Sequence, residues 1–196
     1  MAKPTIGVHS GLVRTVLGPI SVEAMGVALM HEHILLDASS WWRRPCCGSE
    51  IAIAERPLDI SMIGDLRMNP FLNRDNCGLL DVRAAIEELN HFVEYGGKTI
   101  VDPTNLGIGR DPSALQRISR RSGLNIVMGA GFYLEPSHPP YVRDMTVETI
   151  AEVMCWLPGH QATKTPLPLV AVTALPFPRF RVTPVTPSPV RPSTRV

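Results

Sequence analysis

No run of about 18 apolar residues occurs anywhere in the 196-residue chain, so the sequence holds no candidate membrane-spanning helix. The first residues, "MAKPTIGVHSG", lack the apolar stretch of a secretory signal. Cysteine is sparse and poorly spaced for chemistry: Cys46, Cys47, Cys77 and Cys155 form no CxxC pair, and two of them are adjacent. Neighbouring cysteines rarely bridge each other, which argues against a secreted disulfide framework and for reduced thiols in the cytoplasm. An excess of one charge is missing too. A formal net charge of +1 argues neither for nucleic acid nor for an acidic partner. Nor does a Gly-rich phosphate turn follow the first apolar run, which weighs against a dinucleotide-binding sheet.

What is present is an alternation. Residues 27–36, "VALMHEHILL", form an apolar run behind Gly26 and predict a buried strand. Asp37 to Leu80 follows, rich in Trp, Arg, Pro and Asn, with weak periodicity. "DVRAAIEELNHFVEYGG" then predicts a helix. Asp81 is its N-cap, Ala85, Ile86, Leu89, Phe92 and Val93 share one face, and Gly96 stands at the stop. "KTIVD" predicts a second buried strand. "DPSALQRISRRSG" predicts a second helix, capped by Asp111, with Pro112 in the first position and Gly123 at the end. "NIVMGAGFY" predicts a third strand, and Thr146 opens a third helix, "TVETIAEVM". This order builds parallel βαβ units with right-handed crossovers, hence an α/β fold, doubly wound or a (β/α)8 barrel. The GxG of "GIGRDP" reads as a turn leading into the second helix cap.

Periodicity stops after Met154. From Cys155 to Val196 there is no Asp or Glu, five Lys and Arg, and nine of the 19 prolines. Such a segment is expected to be irregular, which divides the chain into residues 1–154 and a proline-rich, disordered or out-of-frame tail, 155–196. A genuine tail of this kind would bind aromatic-grooved domains as an extended ligand. The abrupt loss of acidic residues favours the other reading, a shift of reading frame near Met154.

Two histidines interrupt the first apolar run. At strand spacing, residues i and i+2 share a face, so His31 and His33 are expected to project together near the carboxyl end of a buried strand. Paired imidazoles there favour a metal site over two satisfied core histidines. "TVLGPISVEAMGVALMHEHILLD", "GGKTIVDPTNLGIGRDPSALQRIS" and "LNIVMGAGFYLEPSHPPYVRDMTVETIAEVM" resemble the phosphotriesterase family of the amidohydrolase superfamily, and "RMNPFLNRDN" resembles its lactonase-like members. The resemblance covers residues 10–154. It implies a TIM-type (β/α)8 barrel, present here as an N-terminal partial barrel of three βα units. It also implies a two-metal centre, usually Zn²⁺, with His31 and His33 as ligands of one metal, and hydrolysis of a phosphotriester, lactone or related small-molecule ester by a metal-activated hydroxide.

The same resemblance implies a bridging lysine, two further histidines and a proton-shuttling aspartate on later strands. Lys164, in "ATKTPLP", and His160 do not sit in matching surroundings, and no aspartate follows Asp144. No catalytic residue is therefore assigned, and the alternative is an inactive fragment or a non-enzymatic protein with a binding tail. Phe132, Tyr133 and His138 follow the third strand and are the candidate substrate-binding residues. Trp41 and Trp42 read either as a pocket wall or as packing. Asp102 reads as a turn device before Pro103, and Lys98 as a solvated residue. Three strands alone leave both sheet edges unpaired and the inner face uncovered, which predicts self-association, as an oligomer or an aggregate.

Overall fold

The computed structural model describes residues 11–46 and 48–160. It opens with a hairpin that periodicity does not announce. β1 (Leu12–Thr15) and β2 (Gly18–Ser21) pair antiparallel, with Leu12 opposite Ser21 and Thr15 opposite Gly18. The turn needs a residue that tolerates positive φ, and Gly18 adopts 131°; the Thr15 hydroxyl donates to its carbonyl at 2.7 Å. β3 (Val27–Leu29) comes next, then β4 (Leu36–Asp37). The long segment that follows holds α1 (Gly48–Ala54) and α2 (Ile63–Met68). It returns at β5 (Gly78–Leu79), which pairs antiparallel with β4 and closes the excursion at its base.

α3 (Val82–Glu94), β6 (Gly97–Asp102), α4 (Pro112–Ser122), β7 (Asn125–Met128) and α5 (Val147–His160) complete the order. β3, β6 and β7 form one parallel sheet with β6 in the centre. Side chains alternate across it. Ile100 and Ile126 face α3 and α4, meeting Leu89, Leu115 and Ile118 in the main core. Val101 and Val127 face the other way and are buried with Val13 of the hairpin, flanked by Ile20 and Met25. That inner face was expected to be bare; the hairpin covers part of it. The hairpin turn also reaches the outer edge of β7, where the Val16 amide donates to the Ile126 carbonyl at 2.8 Å. Among the described residues no strand pairs with the free edge of β3.

Three expectations need correction. The strand predicted over 27–36 stops at Leu29, because its pairing with β6 ends at Leu29 opposite Ile100 and the chain then bends away to reach β5. The third strand ends at Met128, not Tyr133; the Gly129 amide makes the last ladder bond to β6, to the Asp102 carbonyl at 2.7 Å. The third helix does not end at Met154 but runs to His160, so the boundary at 154 falls inside α5. Proline removes one donor without undoing turns begun upstream, and the first one after Met154 is Pro158. Lys164 and the remaining tail lie outside the described residues. Among those described, no helix is long and apolar enough to cross a membrane.

The helix caps behave as their sequences predict. The Asp81 carboxylate accepts from the amides of Arg83 and Ala84 at 2.8 and 3.2 Å, and these bonds hold its pKa below the ordinary aspartate value. A depressed carboxyl pKa stabilises the fold above the unfolded value, and the benefit is lost as pH falls through the folded one. Asn caps equally well without titrating. Asp81→Asn is therefore expected to match the parent at neutral pH and to lose less stability on acidification, read as urea midpoints against pH.

Candidate metal and substrate site

β3 ends just before the histidine pair, so both rings lie beyond the carboxyl end of the parallel sheet. The Glu32 amide between them donates to the Val101 carbonyl of β6 at 3.1 Å, which holds the bend against the sheet. The pairing of the two imidazoles thus comes from a bend, not from strand alternation. Their ring centroids are 5.4 Å apart with planes at 80°. His31 is exposed and His33 half-buried.

Behind His33 stands a short polar network. His33 Nδ1 lies 2.8 Å from Thr104 Oγ1, and that hydroxyl donates to the Leu35 carbonyl at 3.0 Å. The Thr104 amide donates to Asp102 Oδ1 at 2.8 Å, the turn that an aspartate before Pro103 predicts. Burial pushes the Asp102 carboxyl above its ordinary value, against the pull of its bonds with Thr104 and of nearby His33. Burial likewise pushes the His33 imidazole down; the Asp102 carboxylate opposes this and His31 adds to it. A neutral imidazole is the form that binds a metal, and imidazole nitrogens such as these two are donors of the kind zinc takes. Among the described residues, however, no cluster of three His, Cys, Asp or Glu is placed to hold an ion. Catalytic zinc takes three protein ligands, so the pair alone does not complete a zinc site.

His33 also opens onto a cavity of about 340 Å³, walled by Leu36, Trp41, Phe71, Ile108 and Tyr133 among others. Trp41 is stacked on Phe71 (centroids 6.1 Å, planes at 27°) and meets Tyr133 edge-on at 5.4 Å. Trp41 is thus a wall of the cavity as well as a packing residue. Its neighbour Trp42 lies under the Arg74 guanidinium, 5.7 Å from the ring. Phe71 had no place in the sequence-based reading. Its amide donates to Asn69 Oδ1 at 3.1 Å, and Asn73, fully buried, donates to the carbonyls of Ile53 and Arg56 at 2.7 and 2.8 Å and ties the excursion together. The asparagines of "RMNPFLNRDN" were the available hint.

Of the three predicted substrate residues, Tyr133 lines this cavity, while Phe132 and His138 stand beside it. Phe132 packs edge-on against His138 at 6.1 Å, and His138 Nε2 donates to the Tyr133 carbonyl at 2.8 Å. Both brace the turn that presents Tyr133. Lys98 is exposed at the start of β6. Nearby, Gly107 lies so close to the Ser137 carbonyl that a Cβ has no room. Gly107→Ala must push two backbones apart and is expected to cost about 1–3 kcal/mol, measured by urea denaturation.

A parallel α/β sheet with its polar groups at the carboxyl ends of the strands is the layout of barrel and doubly wound enzymes. The chain belongs to the phosphotriesterase family, whose model matches residues 11–167. N-acetyltaurine hydrolase from Salmo salar is 36% identical over 146 residues, 74% of this chain and 42% of that protein. A phosphotriesterase-related protein from Nematostella vectensis is 32% identical over 148 residues, with 74% and 42% covered. Among solved structures, a resiniferatoxin-binding protein from Rhodobacter sphaeroides superposes with a TM-score of 0.75 at 38% identity, covering 85% of this chain and 47% of that one. The chain therefore spans less than half the length of these relatives.

Proposed function

We propose that this chain carries the first three βα units of a phosphotriesterase-family TIM barrel and contributes His31 and His33 to the metal centre of a hydrolase. The observation that carries this reading is the histidine pair at the carboxyl end of the first parallel strand, with an aromatic cavity opening beside His33. When bound, a zinc ion would supply Lewis acidity and acidify a water at neutral pH. The chain's own residues do the rest: Trp41, Phe71 and Tyr133 shed water and hold the apolar part of a substrate, and His33 presents a neutral nitrogen. The bond broken is that of a phosphotriester, lactone or related ester. The name of the salmon relative supports an N-acyl amide as a second class. A cytoplasmic location suits the free thiols of Cys46 and Cys77.

With two donors among the described residues, the 196-residue chain by itself is expected not to hydrolyse a paraoxon-like triester, a lactone or N-acetyltaurine in zinc buffer. A metal-dependent rate lost in His31→Ala would overturn that expectation. A chimaera joining residues 11–154 to the remaining length of the salmon relative is expected to hydrolyse at least one of these substrates and to lose the activity in His33→Ala. A folded chimaera inactive on all three would refute the hydrolase reading.

A further inference from the structure

Thr104 has one hydroxyl proton and three neighbours for it, the Leu35 carbonyl oxygen at 3.0 Å, the Asp102 carboxylate and His33 Nδ1 at 2.8 Å. A carbonyl oxygen only accepts. If the proton pointed at His33, two oxygens would face each other at 3.0 Å with no proton between them, in a place where water cannot intervene: Thr104 is 1% exposed and Leu35 6%. The proton therefore lies towards an oxygen, that of Leu35 or of Asp102, and Oγ1 offers His33 a lone pair. His33 Nδ1 must then be the protonated nitrogen, which leaves Nε2 bare. Thr104 is itself held, since its amide donates to Asp102 Oδ1 at 2.8 Å.

We propose that Thr104 is a positioning residue that locks His33 in the Nδ1–H tautomer and so leaves Nε2 free for a metal. The proposal rests on the metal reading above. It goes beyond the histidine pair because it names the group, 71 positions away in sequence, that decides which nitrogen is available. Hydrogen bonds behind a ligating histidine fix its tautomer and orientation, and their loss typically costs about 10–100-fold in metal affinity. His31 has no such bond among the described residues and serves as the internal reference.

The test is long-range ¹⁵N–¹H correlation spectroscopy on the metal-free 196-residue chain labelled in its histidines, above the pH at which the imidazoles protonate. His33 is expected to show the Nδ1–H pattern alone, in the parent and in Thr104→Ser, which keeps the hydroxyl. In Thr104→Val, His33 is expected to move towards the mixed pattern of His31, and zinc affinity to fall about tenfold or more. An Nε2–H pattern for His33 in the parent overturns the proposal, and so does a Thr104→Val chain that keeps both the pattern and the affinity. The parent spectrum decides the tautomer even where the valine variant fails to fold. Should the parent show the Nδ1–H pattern and bind no zinc, the metal reading falls while the tautomer lock stands.

Discussion

Zinc added to the 196-residue chain is expected to bind at one weak site in a calorimetric titration, and the His31→Ala/His33→Ala variant is expected to bind none there. Two imidazoles with centroids 5.4 Å apart provide two donors, and no third His, Cys, Asp or Glu joins them among the described residues. A catalytic zinc site takes three protein ligands, so the affinity should be well below that of a complete centre. The binding should also weaken as pH falls, because protonated imidazoles do not ligate. Burial keeps His33 neutral to a lower pH than an ordinary histidine, so its share of the affinity persists further into acid. Two zinc ions retained through gel filtration would show that the donor set is fuller than the described residues supply.

The largest effect on stability is expected at Ile118. Its side chain is 0% exposed and lies between α4 and the sheet, in the cluster that includes Ile100, Leu115 and Ile126. Truncating a buried isoleucine to alanine typically costs about 2–5 kcal/mol, against a total stability of about 5–15 kcal/mol for an ordinary domain. A sheet with one strand edge unpaired belongs at the low end of that range. Ile118→Ala should therefore lose amide dispersion or shift its urea midpoint by a large part of the whole transition. Ile60→Ala is the control: at 79% exposure it should change stability by less than about 0.5 kcal/mol. Equal midpoints for the two variants would place the core elsewhere.

These expectations draw on features of very different legibility. α3 and α4 could be read residue by residue, because a cap, an apolar face and a terminal glycine are local signals: Asp111 accepts from the Ala114 amide at 2.9 Å, and Gly123 closes the helix at φ 76°. β6 was legible for the same reason, as a short run buried on both faces. The end of β3 was not, because apolar content cannot distinguish a strand from a buried bend. Ile34 and Leu35 are as buried as strand residues yet belong to no strand. The hairpin at 12–21 and the β4–β5 pair escaped because each strand is four residues or fewer, too short to show a period.

By itself the sequence determined the α/β alternation, the caps, the likeness to the phosphotriesterase family and the choice of His31 and His33 as the candidate pair. All of these depend on residue types within a few positions of one another. Only the tertiary structure decided that the imidazoles meet through a bend, that Trp41, Phe71 and Tyr133 enclose one cavity, and that Thr104 stands behind His33. Those groups lie tens of residues apart, and no local preference encodes which will touch. Their meeting is set by the parallel register of β3, β6 and β7 and by the closure of a long excursion at Leu36 and Leu79, which the chain reaches only by burying its core.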